Sequence, residues 1–461
     1  MPHSHFESTV AHGDSLSSSW GRALRAQVSA AILEQSTRFW RHADFLNAVL
    51  RHSDSIDRSA WRRLQLRKVQ AVFRHAVLHV PHWRQVANTV RLDPSWPATL
   101  RDAERFPVTT RADFKRISRA DLLAEGTPPH RLVPAVTSGS TGEPLSFYQD
   151  ARELPLRLVA VREELRHAGA DPSLPVLIIG LGTHRYLSQL GDYFPALDDL
   201  EERSRRVGRL YATIQQKHPA TLISTPSLLK QFVAHLASDG VLFRFKTIFY
   251  RGEALASDER EWITRALGGT VFSSYGTREC SMIAFQCEAG SSHTVPWLNY
   301  VEILGDNGEA LPLGSEGRIV VTYFGNYVMP FLRYEIGDRG FLREDPCPCG
   351  RQAPRIEFRG RAPFSIILPS GRQIPALWIN NTIAEHFSKD IAQFQLEQMH
   401  PGLLIFRFIP SRAANQSLRE HLLRYWRDVV GNEVTVRLEA VSNFSLHASG
   451  KAHPVFGVEG T

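Results

Sequence analysis

Residues 247–272, TIFYRGEALASDEREWITRALGGTVF, contain the pattern that decides the fold of this chain. Thr247–Tyr250 is a short apolar run, Ser257–Leu267 is a helical stretch, and Thr270–Phe272 is a second apolar run. Short apolar runs bounded by turn residues are typical of buried strands. Strands that alternate with helices in this way predict an α/β architecture.

The same alternation extends on both sides of this stretch, over about residues 130–340. Further apolar runs are Leu132–Val136, Val176–Ile179, Thr221–Ile223 and Arg318–Val321, and a further helical stretch is Ala151–Ala168. Ahead of them, Ser59–Val80 has apolar residues at steps of three and four, which is typical of an amphipathic helix that ends at Pro81. We therefore expect a large domain of layered sheets and helices.

The chain after Arg361 is predicted to be a smaller α+β unit. Its strands are expected near Phe364–Leu368 and Leu403–Ile409, and its helices at Pro375–His386 and Leu418–Val430. Residues 1–19 are rich in Ser and His without an apolar period, which predicts a poorly ordered arm. The expected domains are thus residues 20–360 and 361–461, after an arm of residues 1–19.

The composition excludes several classes of protein. The chain has 461 residues, of which 43% are hydrophobic and 22% charged, as in ordinary folded proteins. Its apolar runs are far shorter than the roughly 20 residues that cross a bilayer, and its first residues lack a secretory signal. Four cysteines make no disulfide framework in a chain of this length, so we expect a cytoplasmic protein.

The charge balance also argues against a nucleic-acid partner. There are 54 basic and 47 acidic residues, and 47 of the basic ones are arginine. They are interspersed with acids, and the chain has none of the basic runs that mark nucleic-acid patches. The scarcity of lysine makes Lys451, near the C-terminal end of the sequence, conspicuous.

Residues 137–144 read Thr-Ser-Gly-Ser-Thr-Gly-Glu-Pro and follow an apolar run. The glycines permit tight turns, and the hydroxyls and backbone N–H groups offer donors to phosphate oxygens. The segment is no P-loop, because Gly-Lys-Ser/Thr is missing. Taken alone, it is equally consistent with a solvated turn.

Four more motifs follow in a fixed order: Tyr275–Glu279, Tyr334–Asp338, Gly360-Arg361 and Ser449-Gly450-Lys451. Together with the Ser/Gly segment, this order and spacing resembles the adenylate-forming superfamily of acyl-CoA synthetases and related ligases. Three further segments are similar to its branch of phenylacetate–CoA ligases, deazaflavin-adenylating synthetases and CapK-like proteins: Thr225-Pro226-Ser227, Arg251-Gly252-Glu253 and Cys-Pro-Cys-Gly-Arg at 347–351. The resemblance covers roughly residues 60–456.

The resemblance implies a role for each motif. The residues that would hold the ATP phosphates are Thr137, Ser138, Gly139, Ser140, Thr141 and Gly142. Those implied around the rest of the nucleotide are Gly252, Glu253, Tyr275, Gly276, Thr277, Asp338 and Arg361. Within this set, Tyr275 would lie against the adenine, Asp338 would accept hydrogen bonds from the ribose hydroxyls, and Arg361 would approach the ribose and phosphate.

Two residues would take part in the reaction itself. Glu279 matches the family's Mg²⁺ ligand, and Mg²⁺ prefers carboxylate and phosphate oxygens. Lys451 matches the lysine that reaches from a mobile C-terminal lid domain to the acyl carboxylate and the α-phosphate, where it stabilises developing charge. Residues 20–360 would then form the AMP-binding domain.

Three positions depart from the family pattern. Arg278 stands where Ser or Thr is usual, Leu145 stands where Lys often ends the phosphate loop, and Pro363 stands where many relatives have a hinge aspartate. Arg278 is a candidate for the cation that Leu145 does not supply. Pro363 would fix φ at the hinge and stiffen it.

The cysteines lie at 280, 287, 347 and 349, with His293 between the pairs. Cys287, His293, Cys347 and Cys349 are a chemically suitable set for a structural Zn²⁺ that ties two loops together, with Cys280 as the spare thiol. The alternative is four separately buried thiols, because Cys-x-Cys is tighter than the usual ligand pair.

Three functions are consistent with the motifs. The first is ATP- and Mg²⁺-dependent activation of a carboxylic acid, with an aryl acid allowed, followed by transfer to a thiol, foremost that of CoA. The second keeps the adenylate but passes the acyl group to an amine, a hydroxyl or a carrier protein. The third is a nucleotide-binding protein without catalysis, which Arg278 and Pro363 favour and Glu279, Asp338 and Lys451 oppose. The resemblance leaves a homodimer open.

Overall fold

The computed structural model describes most of the chain from residue 56 onward. The described residues are 50, 53, 56–91, 97–136, 145–171, 173–180, 190–195, 200–252, 255, 257–361, 365–375, 379, 383, 386–387, 390–411, 417–442 and 455–456.

Nine α-helices have defined bounds. They are α1 (Arg58–His79), α2 (Pro81–Thr89), α3 (Arg111–Arg116), α4 (Arg119–Leu122), α5 (Leu154–His167), α6 (Leu200–Lys217), α7 (Pro226–Asp239), α8 (Ser257–Leu267) and α9 (Leu418–Val430) among the described residues. Short 3-10 turns lie at Arg101–Arg105, Pro129–Arg131 and Ala151–Glu153. The described part of the chain contains no helix that is both long and apolar enough to span a membrane.

The strands are grouped in four sheets. Their bounds are β1 (Leu132–Val136), β2 (Ser146–Asp150), β3 (Val176–Gly180), β4 (Asp192–Pro195), β5 (Thr221–Ser224), β6 (Thr247–Arg251), β7 (Thr270–Thr277), β8 (Ser281–Gln286), β9 (Ser292–Thr294), β10 (Asn299–Leu304), β11 (Gly317–Tyr323), β12 (Tyr334–Arg343), β13 (Arg355–Arg361), β14 (Ser365–Ile367), β15 (Gln373–Pro375), β16 (Ile391–His400), β17 (Leu403–Pro410), β18 (Thr435–Ala440) and β19 (Val455–Phe456). β1 pairs with β2 as an antiparallel hairpin whose connection includes residues 137–144.

The main sheet has eleven strands in the order β10-β11-β12-β13-β9-β8-β7-β6-β5-β3-β4. From β4 to β7 neighbouring strands are parallel, and from β7 to β10 they are antiparallel. The parallel strands are buried and apolar because helices α6, α7 and α8 connect them and cover them. The antiparallel half continues the same sheet from β7, which pairs with β6 on one side and with β8 on the other.

The C-terminal part has its own sheets and apolar cluster. β14 pairs with β15, and a second sheet has the order β18-β17-β16-β19. Leu396, Phe406 and Trp426 lie at the centre of a buried cluster that draws on residues 366–438. The division of the chain at residue 361 stays a prediction.

The α/β class is confirmed, and most elements lie where the sequence predicts them. The expected helix Ala151–Ala168 starts instead with a 3-10 turn, and α5 begins at Leu154 because Pro155 is favourable in the first helical turn and unfavourable farther in. The predicted helix at Pro375–His386 and the arm of residues 1–19 lie largely or wholly outside the described residues.

Candidate functional site

The turn between β7 and β8 carries Glu279. A Cβ at Gly276 would overlap the backbone carbonyl oxygen of Ser281, so the chain can close this tightly when residue 276 is glycine. The Cys280 N–H donates to Thr277 Oγ1 at 3.0 Å, and Ser281 has a φ of 59°. These features fix the course of the backbone on both sides of the carboxylate.

The Glu279 side chain is 9% exposed and is held by a tyrosine from another motif. Tyr334, at the start of β12, donates its hydroxyl to Glu279 Oε1 at 3.2 Å. Its ring packs edge-on against Phe114 and Phe331, with centroid distances of 5.4 and 5.1 Å. Burial, followed by the nearby Glu279 charge, raises the pKa of Tyr334, so the phenol stays protonated and acts as a donor.

The backbone of the same turn is held by two side chains. Gln149 Nε2, from β2, and Arg157 Nη2, from α5, each donate to the Arg278 carbonyl oxygen at 3.0 Å. Arg157 also forms an ion pair with the buried carboxylate of Glu153. The turn is therefore tied both to α5 and to the hairpin that carries the Ser/Gly segment.

Tyr275 joins the second and third motifs. Its hydroxyl donates to Asp338 Oδ2 in β12, and its ring stacks on Phe358 in β13 at 3.5 Å between centroids. Asp338 pairs in register with Arg361, so the backbone of the Gly360-Arg361 motif lies beside it. Three separate segments of sequence thus meet at one place.

Tyr275 and Asp338 lie inside strands, although Tyr275 lies beyond the apolar run Thr270–Phe272 and Asp338 lies in none of the predicted strands. β7 continues through Thr277 because it pairs with β8, and Asp338 lies within β12 because β12 pairs with β13. The pairing holds the side chains on a sheet rather than on loops, which gives them a more precise geometry.

Gly252 lies next to this group, at the carboxyl end of β6. Arg251 pairs in register with Ser274, which places Gly252 beside the Tyr275 end of β7, and Gly252 has a φ of 85° that favours glycine. Arg251 Nη2 is 2.7 Å from the buried Glu164 Oε2, and Ser274 donates to the other oxygen of that carboxylate. This network fixes the ends of β6 and β7 against α5.

Several predicted site residues lie outside the described residues. They are Thr137, Ser138, Gly139, Ser140, Thr141, Gly142, Glu253, Pro363 and Lys451, and Arg361 is described by its backbone alone. Their roles stay predictions.

The second constellation is the predicted metal cluster. The ligand atoms of Cys287, His293, Cys347 and Cys349 all lie within 4.8 Å of one another. The Cys287 and Cys347 sulfurs are 3.9 Å apart, close to the roughly 3.8 Å expected for two sulfurs that each lie about 2.3 Å from a tetrahedral zinc. Cys280 is buried outside the cluster. The donor set and its spacing fit a closed zinc site.

The surroundings of the cluster also suit a metal. His293 Nδ1 donates to the Ala353 carbonyl at 2.9 Å, which leaves Nε2, 3.3 Å from Cys349 Sγ, to face the cluster. Burial lowers the pKa of His293 and raises that of Cys287 to about 12. A histidine binds a metal in its neutral form, which burial favours for His293. Burial disfavours the thiolate of Cys287, so a cation beside it would be needed to stabilise that form.

The cluster lies where two neighbouring strands of the main sheet, β9 and β13, share little backbone pairing. Cys287 and His293 belong to the β8–β9 hairpin, whereas Cys347 and Cys349 belong to the turn between β12 and β13. Among the described residues, the ladder between β9 and β13 consists of one pair, His293 with Arg355. A metal here would link the half of the sheet that carries Glu279 to the half that carries Asp338.

Sequence reasoning missed Tyr334 as a partner of Glu279, and it missed Gln149, Arg157 and Glu164 altogether. Tyr334 could have been suspected, since it begins a motif. The others carry no motif. A faint signal exists for Glu164, because the residues four and three positions before it in α5, Ala160 and Val161, are apolar.

Comparisons with known proteins agree with this geometry. The family model described as AMP-binding enzyme matches residues 199–330. A phenylacetate-coenzyme A ligase of Thermus thermophilus is 26% identical over 322 residues, which cover 66% of this chain and 70% of that protein. The Escherichia coli phenylacetate-coenzyme A ligase is 24% identical over 361 residues, or 74% of this chain and 80% of that protein.

Solved structures share the fold. A 2-hydroxyisobutyryl-CoA ligase in its postadenylation state, in complex with an acyl-AMP, has a TM-score of 0.71 at 20% identity and covers 88% of this chain and 92% of its own. The same enzyme in its thioesterification state, in complex with an acyl-AMP and CoA, has a TM-score of 0.62 and covers 88% and 91%. The motifs, the site geometry and these relatives together make the chain similar to adenylate-forming ligases, and in particular to phenylacetate-coenzyme A ligases.

Proposed function

We propose that this protein activates a carboxylic acid with ATP as an acyl-adenylate and then transfers the acyl group to coenzyme A. Two hydrogen bonds carry the proposal. The Tyr275 hydroxyl donates to Asp338, and the Tyr334 hydroxyl donates to Glu279. An aromatic ring, a carboxylate for ribose hydroxyls and a carboxylate for a hard cation are the groups that a bound ATP needs in one place.

The first step joins the acid to AMP. A carboxylate oxygen of the acid attacks the α-phosphorus, the bond from that phosphorus to the bridging oxygen breaks, and pyrophosphate leaves. Glu279 would hold Mg²⁺, which neutralises phosphate charge when bound. The Ser/Gly segment at 137–142 and Lys451 would donate to the phosphate and carboxylate oxygens.

The second step passes the acyl group to the thiol. The sulfur of coenzyme A attacks the acyl carbonyl carbon, the bond to the AMP oxygen breaks, and AMP leaves. We propose that residues 361–461 act as a lid that brings Lys451 to the first step. The separate apolar cluster of this part supports its being an independent body.

An aryl acid is the proposed substrate class. The named activity of the curated relatives supports an aryl acid. The carboxyl ends of parallel strands are the usual place for a ligand in α/β sheets. Here those ends carry Arg251 and Ser274, held by Glu164, beside Tyr275. We propose that the acyl group lies against this edge.

Pyrophosphate exchange over a panel of aryl and aliphatic acids tests the first step. We expect acid-dependent exchange, loss of at least about 100-fold in Lys451→Ala, and little change in Lys389→Ala, the other lysine after residue 246. Hydroxylamine trapping followed by added CoA tests the acceptor. An adenylate that CoA does not discharge would favour an amine, hydroxyl or carrier-protein acceptor, and absence of exchange with every acid would contradict the proposal.

We also propose that Cys287, His293, Cys347 and Cys349 hold a structural zinc ion. A closed set of four protein ligands leaves no open position for substrate. The metal would stabilise the fold at the β9–β13 junction.

A further inference from the structure

The position of Glu279 is fixed by two separate sets of hydrogen bonds, one to its carboxylate and one to the backbone carbonyl just before it. Tyr334 contacts Oε1 of the carboxylate, and Gln149 and Arg157 contact the carbonyl oxygen of the preceding residue, Arg278. We propose that Tyr334 and Gln149 are positioning residues that aim the Glu279 carboxylate at the metal of a bound Mg–ATP. This inference rests on the proposed function of Glu279.

The contact from Tyr334 fixes rotation of the carboxylate. Tyr334 is 2% exposed, and its ring packs edge-on against the stacked rings of Phe114 and Phe331, so the hydroxyl has a defined position. A carboxylate has two oxygens, and a donor on Oε1 orients the plane in which Oε2 lies. A hydrogen bond to a charged acceptor in a buried place is stronger than one in water.

The contact from Gln149 joins the turn of Glu279 to β2, the strand that follows the segment predicted to hold the phosphates. Gln149 is on β2, one residue before the end of the hairpin that carries residues 137–144. The base of this hairpin is fixed by Asp150, which accepts from both Arg131 and Arg152. Asn326 Nδ2 donates to the Tyr148 carbonyl at 2.8 Å and anchors the same strand. The bond from Gln149 therefore ties the turn of Glu279 to an anchored strand, β2.

Arg157 also holds the Arg278 carbonyl oxygen, but its substitution would not give a clean test. Its ion pair with Glu153 is buried, so removing the guanidinium would leave an uncompensated carboxylate in the core. Tyr334→Phe removes one oxygen and keeps the ring. Gln149→Met keeps the length of the side chain and removes the donor.

Two matched controls are available in the chain. Gln70 is also a half-buried glutamine that donates to a carbonyl, that of Pro97, at 2.9 Å. Tyr300 is a mostly buried tyrosine on β10. Gln70→Met and Tyr300→Phe remove the same groups in places away from Glu279.

The experiment measures Mn²⁺ binding by electron paramagnetic resonance in the presence of a non-hydrolysable ATP analogue, together with the Mg²⁺ dependence of pyrophosphate exchange. We expect the Kd for Mn²⁺ and the half-saturating Mg²⁺ to rise about 10-fold in Tyr334→Phe and about 5-fold in Gln149→Met. Exchange at saturating Mg²⁺ should stay within about threefold of wild type, and both controls should match wild type.

The outcomes separate the two proposals. If the wild type binds Mn²⁺ with the analogue and both site variants bind it as the controls do, the positioning inference is wrong and the proposed function stands. If exchange falls while the affinity for Mn²⁺ is unchanged, the positioning inference is also wrong. If the wild type neither binds the metal–nucleotide pair nor exchanges pyrophosphate, the proposed function fails. Should Tyr334→Phe not fold, Gln149→Met alone decides between these results.

Discussion

Removal of one cysteine ligand should separate a zinc site from a group of buried thiols. The perturbation is Cys349→Ala, and Cys280→Ala is the matched control, because Cys280 is buried outside the cluster. Cys349 Sγ is 3.3 Å from His293 Nε2, so its loss opens one corner of the proposed tetrahedron. Wild type and Cys280→Ala should carry one zinc per chain, and Cys349→Ala much less.

The magnitude follows from linkage between binding and folding. At a free zinc concentration 1,000 times the Kd, the metal stabilises the folded chain by about 4.1 kcal/mol. Loss of a direct ligand should weaken binding by about 100-fold or more, which leaves about 1.4 kcal/mol at the same free zinc. We therefore expect Cys349→Ala to lose about 2.7 kcal/mol of zinc-dependent free energy of unfolding. The β9–β13 ladder, with its one described pair, offers little to replace it.

Urea unfolding at fixed free zinc, with and without a chelator, measures this difference, and elemental analysis gives the metal content. Cys280→Ala should lose some stability through its own small cavity, but equally with and without zinc. The reasoning is refuted if the wild type carries no zinc, or if Cys280→Ala loses the zinc dependence to the same extent as Cys349→Ala.

Three further substitutions test the geometry of the site strands. Tyr275→Phe removes the hydroxyl that donates to Asp338 and should lower the free energy of unfolding in urea by about 1.5–3 kcal/mol. A change below about 0.5 kcal/mol would contradict this hydrogen bond. Gly276→Ala places a Cβ on backbone atoms and should weaken binding of a fluorescent ATP analogue by at least about 10-fold, whereas unchanged affinity would show that the turn can relax. Arg333→Met strands the buried carboxylate of Glu302, 3.0 Å away, and should cost about 3–5 kcal/mol in the same urea assay; a loss under about 1 kcal/mol would argue against a buried ion pair.

The sequence predicts the fold class and many elements, because periodicity and glycine placement are local signals. Thr247–Tyr250 and Ser257–Leu267 could be located in this way. Ordered motifs also predict that Tyr275, Glu279 and Asp338 belong to one site. The contacts themselves could not be predicted, since each joins residues far apart in sequence. Tyr334 to Glu279 spans 55 positions, and Gln149 to Arg278 spans 129.

The extent of the strands escaped prediction for a related reason. Apolar residues indicate Thr270–Phe272 as a strand, whereas the polar residues up to Thr277 give no such signal. Backbone pairing with β8 extends the strand, and pairing depends on the partner rather than on local propensity. The motif residues are therefore easy to find as sequence and hard to place as structure.

The nucleotide-site residues, Tyr275, Glu279 and Asp338, and the Cys/His cluster lie at opposite ends of the same strands. Binding at one group should therefore affect binding at the other. β8 leads from the turn of Glu279 to Cys287, and β13 leads from the cysteine turn to Arg361, so each spans roughly 20 Å between the two sites. Between β8 and β13 lies β9, with its single described pair to β13. A metal that holds the hairpins together at one end restricts how far Tyr275 and Asp338 can separate at the other. Coupling between binding sites is reciprocal, so if the proposed zinc tightens nucleotide binding, bound nucleotide should tighten zinc binding by the same factor.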